Sequence, residues 1–293
     1  MLTIENDQLR VEINELGAEI THIWNKNGNF DYIWNDSLWP KHAPILFPSI
    51  GRSVQDKYMY DGDEYPMDQH GFAQGQKFDV IKHENNKVLF ELDNNSETEK
   101  SFPFKFSLQV QYELQGGHLS VSFNVNNLDQ KTFSFSLGAH PAFNVPIDGV
   151  GRFEDYQLLF TPKLDELNQY EIIKNPYPYR TGNLLQLKNY SNGTINLNHE
   201  MFEAGLVIIE NQGLDHIILC SDKSQHQIKM NIKDFRYLCL WTKEGANAPF
   251  LCIEPFQGLP DIDNKMSDLL GKEANVVLEP NENKMLTYSI EFK

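Results

Sequence analysis

Residues 107–125 read SLQVQYELQGGHLSVSFNV. Leu108, Val110, Tyr112 and Leu114 alternate with polar residues, and after QGGH the alternation resumes through Leu119, Val121, Phe123 and Val125. A period of two sends successive side chains to opposite faces, so each run buries one face. Two such runs around a Gly-Gly pair predict a β-hairpin. The same period recurs in QLRVEI from Gln8, KVLFEL from Lys87, HQIKMNI from His226 and MLTYSIEF from Met285. Turn-forming clusters such as NKNG (25–28), DGD (61–63) and NNLD (126–129) fall between the runs at short intervals. The best helical stretches are KLDELNQY (163–170) and DNKMSDLLGKE (263–273), each about three turns at most. The pattern predicts an all-β chain, a large antiparallel sandwich with few short helices. Residues 1–293 are expected to form one domain, with the polar, turn-rich segment 149–193 as a rim or loop excursion of it.

At 293 residues, such a chain buries roughly 75% of the surface its unfolded form exposes and needs no staples. Its 25 basic and 41 acidic residues give a net charge of -16. That charge repels phosphate backbones and anionic lipid, so neither nucleic acid nor membrane is an expected partner. No stretch approaches the roughly 20 apolar residues of a membrane span. The N-terminus, MLTIENDQLRVEI, lacks the apolar centre of a signal peptide. Cys220, Cys239 and Cys252 each lie in an apolar run, too far apart for a CxxC motif. They read as small buried hydrophobes, and an odd, scattered set argues against a secreted disulfide framework. The cytoplasm is the expected compartment.

Familiar catalytic signatures are missing. The sequence has no GxGxxG, P-loop, GxSxG or HExxH, and its nine histidines form no pair at helical metal spacing. Neither a metal nor a nucleotide cofactor is expected. Three segments combine ionisable residues with turn-forming neighbours. FPSIGR (47–52) ends in Arg52 and is followed by DQHGFA (68–73), which holds His70. In GAHPAFNVP (138–146), His140 follows the strand-like TFSFSL and precedes Pro141; in FLCIEPF (250–256), Glu254 precedes Pro255. Proline cannot continue a central ladder, so both strands are expected to stop there and turn His140 and Glu254 toward a cleft. A partly desolvated carboxylate acquires a pKa suited to a general base, and an imidazole is its natural acid partner. Taken singly, each residue equally fits a structural histidine, an edge-strand salt bridge or a surface ion pair.

FPSIGR, DQHGFA, GAHPAF and CIEPFQGLPD, in this order, resemble the aldose 1-epimerase (galactose mutarotase) family, in particular its divergent bacterial branch. The likeness spans nearly the whole chain. It implies a β-supersandwich with a sugar cleft across one concave sheet, acting on a hexose without a cofactor. It maps the family's acid onto His140, its base onto Glu254, its substrate-binding arginine onto Arg52 and its second histidine onto His70. The family's hydroxyl-gripping aspartate has no counterpart in FEAGLVII (202–209), and Asp215 in GLDHIIL is the nearest substitute. Trp241 and Phe256 are candidate apolar walls for a sugar face. Opposite charges across the cleft are expected to favour a protonated His140 beside an ionised Glu254. A hexose-6-phosphate 1-epimerase is an alternative that needs more cations than Arg52, with Lys41 and Lys57 as possible neighbours. A non-catalytic carbohydrate-binding or sensing module is another. A glycoside hydrolase would need a second catalytic carboxylate, for which Glu64 and Asp68 are the available residues. The oligomeric state has no signature in the sequence.

Overall fold

A computed structural model describes residues 1–174 and 176–293. The hairpin predicted from residues 107–125 is present. Phe106–Gln115 and His118–Asn127 pair in register from Phe106 opposite Asn127 to Gln115 opposite His118. The turn lies at Gly116 and Gly117, with Gly116 at φ +56°, a left-handed conformation that glycine adopts without Cβ strain. This hairpin sits inside a nine-stranded antiparallel sheet, flanked by Lys87–Asp93 and Asp79–Glu84 on one side and by Asn283–Phe292 on the other. Beyond Asn283–Phe292 the sheet continues through Ile228–Asn231, His216–Cys220, Gln157–Thr161 and Thr194–Asn196.

A second sheet runs in the order Pro178–Gln186, Asn168–Lys174, Val207–Glu210, Tyr237–Trp241, Phe250–Gln257, Leu137–Ala139 and Ile45–Leu46. Its central strands are buried on both faces, and alternation decides which face each residue serves. Leu238, Leu240, Leu251 and Ile253 join Val110, Tyr112, Phe123 and Val125 of the hairpin in one apolar core between the two sheets. Tyr237, Cys239 and Phe256, then Phe250 and Cys252, point the other way and form two small clusters on the outer face. A period-two strand thus shows one row to the core and another to a cleft.

Two sequence expectations fail. Neither proposed helix forms, and the helical content of the described residues is short 3₁₀ turns such as Val54–Asp56 and His199–Phe202. In 163–170 the backbone turns outward: Leu164 N–H donates to the Tyr190 hydroxyl, Leu164 C=O accepts from it, and Asn168 already begins a strand. In 263–273 the polar groups find partners across the chain, with Met59 N–H donating to Ser267 O and Leu269 N–H to Met59 O. Backbone groups satisfied in this way have no need of an i→i−4 ladder. The second failure is segment 149–193. It is woven into both sheets rather than looped out, through Gln157–Thr161 in one and Asn168–Lys174 and Pro178–Gln186 in the other. Its edge strands bury few side chains, which hides the alternation.

Candidate active site

The strand Phe250–Gln257 runs straight through Pro255, with Leu238 as the cross-strand partner of that proline. The expectation that this strand ends at Glu254 is therefore corrected. The reason lies in its other neighbour. Leu137–Ala139 pairs with it at Phe256 and Gln257, Ala142–Asn144 pairs from Cys252 onward, and the ladder is broken between them. Ile253 N–H points across this break to Pro141 O at 3.3 Å. Backbone groups two residues apart on a strand face the same side, so the N–H that Pro255 lacks would also have faced the break. His140 stands in the gap, between a strand that stops at Ala139 and one that restarts at Ala142, as Pro141 predicts. Two prolines on adjacent strands open the sheet where His140 and Glu254 meet.

His140 Nε2 lies 3.3 Å from Glu254 Oε2, and both side chains are nearly inaccessible to solvent. His140 Nδ1 and Glu254 Oε1 have no hydrogen-bond partner among the described residues. Buried polar atoms are rarely left so, and a pair of them facing a cavity marks a place for a ligand. Burial pushes the imidazole well below its ordinary pKa, helped by His70 and Lys41. Burial also pushes the Glu254 carboxyl well above its own, against the opposing hydrogen bond from Cys239. The expected opposite charges are thus disfavoured in the empty site: desolvation outweighs their attraction, and the pair holds one shared proton in a neutral arrangement.

The pair lies at the base of a cavity of about 380 Å³, within the span typical of small-molecule sites. Arg52, His70, Trp241 and Phe256 line it too. The Trp39 ring stacks on His140 at 5.1 Å, and Trp241 meets the same imidazole edge-on at 5.7 Å. FPSIGR and DQHGFA are clamped together. His70 N–H donates to Gly51 O at 2.8 Å, and Gly51 N–H donates to His70 Nδ1 at 3.1 Å. Gly71 fits here because a Cβ would come within 2.2 Å of Phe47 O. An Nδ1 that accepts is unprotonated, so His70 is a neutral imidazole with an Nε2–H donor. Burial, with Lys41 and Arg52 nearby, pushes its pKa down to about 3. Arg52 donates to Asp56 Oδ1 at 2.6 Å and to Gln69 Oε1 at 3.1 Å, while its guanidinium lies 4.0 Å from the centre of the Tyr177 ring.

Asp215 does not join the cleft. It precedes the strand His216–Cys220 of the other sheet, pairs with Lys233 at 3.5 Å, and lines a separate shallow pocket. FEAGLVII contributes Gly205 and Leu206 to the cavity wall and no carboxylate. Glu244, which the sequence reading passed over, lines the cavity and pairs with Lys174 at its edge. Lys41 lines it and donates to Gln74, whereas Lys57 is held by Glu64 on the hairpin of Lys57–Tyr60 and Asp63–Pro66. Trp39, Gln69 and Tyr177 were also missed. Gln69 sat inside a quoted motif, but nothing local marks Trp39 or Tyr177 as facing a cavity.

The fold and this cavity define a β-sandwich carbohydrate epimerase class, and the comparisons agree. The family model for aldose 1-epimerase matches residues 1–284, and the chain belongs to that family. A galactose mutarotase-like protein from Lactobacillus casei ATCC 334 is 40% identical, with all of both chains covered and a TM-score of 0.94. A galactose mutarotase related enzyme from Lactobacillus acidophilus is 30% identical over 100% of this chain and 97% of that one, with a TM-score of 0.93. Protein LacX (plasmid) of Lactococcus lactis subsp. lactis is 29% identical over 271 residues, 88% of each chain. The fold is that of the galactose mutarotase-like proteins. Among the described residues no helix is long and apolar enough to cross a membrane.

Proposed function

We propose that this chain is an aldose 1-epimerase that interconverts the α and β anomers of a free hexose, working as one domain in the cytoplasm. The observation that carries the reading is the 3.3 Å His140–Glu254 pair, with one unpartnered polar atom on each side chain, at the base of an aromatic-walled cavity. Glu254 takes the proton of the anomeric hydroxyl as the C1–O5 bond breaks, and His140 gives a proton to the ring oxygen. The open aldehyde rotates about C1–C2, and the two transfers reverse to close the ring on the other face. The pair carries one proton throughout: on His140 before opening, on Glu254 after. Burial favours the second arrangement, so the charged form must be drawn out by the sugar. Its hydroxyls supply the donors that Glu254 Oε1 lacks, which lowers the carboxyl pKa when sugar is bound.

Arg52 and the Nε2–H of His70 hold the sugar oxygens and stabilise negative charge that develops on them. Trp241 and Phe256 pack against its apolar face. The test is polarimetry on freshly dissolved α-D-glucose and α-D-galactose. The wild-type protein should accelerate the approach to anomeric equilibrium, and Glu254→Gln should lose about 10²–10⁴-fold in rate. A folded Glu254→Gln protein that keeps the wild-type rate removes Glu254 from the reaction. Lys41 beside Arg52 gives the sugar-phosphate reading some support. Competition of a hexose 6-phosphate against free hexose separates the two.

A further inference from the structure

The register of two central strands gathers more than an acid and a base. Cys239 is the cross-strand partner of Glu254, and Cys252 lies two residues before Glu254 on the same strand. Residues opposite one another, and residues two apart, project to the same face. Both thiols are therefore on the cleft side with Glu254, and His140 enters that face from the break in the ladder. Cys239 lines the cavity, while Cys252 lies just beneath it, fully buried. One ligating atom each of His140, Cys252 and Glu254 fall within 4.8 Å of one another. The sequence search for metal motifs could not find this set, because its members come from three strands.

We propose that His140, Cys252 and Glu254, with Cys239 as a fourth donor, form an inhibitory site for a thiophilic divalent cation such as Zn²⁺. Nitrogen, sulfur and carboxylate donors are the set that zinc takes. Ligands about 2.0–2.3 Å from an ion stand roughly 3.3–3.8 Å from each other in a tetrahedron. The His140–Glu254 separation of 3.3 Å already meets this, and Cys252 needs a shift of about an ångström to complete it. A second observation points to the same place: His140 Nδ1 and Glu254 Oε1 are buried and unpartnered. On binding, Zn²⁺ replaces the thiol proton of Cys252, which leaves to solvent, and takes the lone pair of His140 and a carboxylate oxygen of Glu254. The metal-free protein is the active form, because an ion here ties up the groups assigned to proton transfer. Only this inhibition clause rests on the function proposed above; the site itself does not.

The experiment uses the full chain freed of metal with a chelator. Zn²⁺ retained per chain is measured by equilibrium dialysis, and Co²⁺ is added separately as a spectroscopic probe. The expected result is one ion per chain and a near-ultraviolet thiolate-to-Co²⁺ band. Cys252→Ala, with Cys252→Ser as the alternative if alanine does not fold, should weaken Zn²⁺ retention at least tenfold and lose much of that band. In polarimetry, Zn²⁺ should abolish wild-type mutarotation and chelator should restore it. The Cys252 variant should keep its metal-free rate within about twofold and need at least tenfold more Zn²⁺ for the same loss. No retained ion, a Co²⁺ spectrum without a thiolate band, or equal Zn²⁺ affinity in the variant would each overturn the site. If the wild-type protein has no mutarotase activity, the function fails while dialysis and the Co²⁺ spectrum still decide the metal site. Zinc retained at the site without any loss of rate overturns the inhibition alone.

Discussion

The hairpin Phe106–Gln115/His118–Asn127 and the break around His140 and Glu254 are built from strands of the same kind and end in opposite conditions. In the hairpin every position has a cross-strand partner, apolar residues face the core without exception, and the buried Tyr112 hydroxyl donates to Ala18 O at 2.6 Å. At the break, two prolines interrupt pairing between neighbouring strands, a carboxylate and an imidazole are buried together, and each keeps an orphan polar atom. The first region stabilises the molecule. The second holds unsatisfied chemistry that only a ligand completes, and the rest of the fold must hold it in place.

Phe123→Ala should show the larger effect. Phe123 is fully buried between the sheets and stacks near Tyr288 at 6.1 Å. Removing such a ring costs about 3–5 kcal/mol through lost burial and the cavity left behind. Denaturant unfolding should report that loss, while the rate of mutarotation per folded molecule stays near the wild-type value. A variant that is destabilised but also catalytically dead would mean that the two regions are not separable.

Glu254→Gln should move the other way. Burial raises the carboxyl pKa in the folded protein, so between the unfolded and folded pKa values the native state binds more protons than the unfolded chain. Stability contributed by the protonated group is complete below about pH 4 and is lost as pH rises through the folded value. Glutamine is never ionised, so the variant escapes this loss. It should be more stable than wild type by about 1–3 kcal/mol at neutral pH, with the difference vanishing near pH 4. Thermal melts across that range, run with chelator present, measure it. A variant less stable than wild type at neutral pH would show that Glu254 is held there by favourable contacts, against the comparison drawn here.

The same contrast governs what the sequence disclosed. Regular pairing leaves a period in the chain, so the hairpin, the strand at Lys87 and the closing strand were legible from alternation alone. Irregular backbone does not. Residues 163–170 and 263–273 have helical composition, but their polar groups are met by Tyr190 and Met59, partners far off in sequence. Proline was a sound guide at Pro141 and a poor one at Pro255, because its cost depends on whether the neighbouring strand is there to miss the N–H. Arg52, His70, His140 and Glu254 came from motif order, and the fold gathers them at one cavity. Asp215 was chosen by nearness in sequence to a segment without a carboxylate, and sequence distance does not report which sheet a strand joins. Glu244 and Tyr177 reach the cavity from connecting segments that no pattern distinguishes.

Arg52→Lys sharpens the comparison at its smallest expected scale, because it alters neither the core nor the proton-transferring pair. Arg52 is held by Asp56, by Gln69 and by the face of Tyr177, three contacts that use the planar fork of a guanidinium. A lysine keeps the charge and loses the fork and the stacking. If Arg52 positions the sugar, kcat/KM should fall about tenfold, chiefly through KM, which corresponds to about 1.4 kcal/mol of lost binding. Stability should change by less than about 0.5 kcal/mol, as for a surface substitution. A fall in kcat with KM unchanged would instead place Arg52 on charge that appears only as the ring opens. That result would move it from holding the substrate to stabilising the transition state, beside His140 and Glu254.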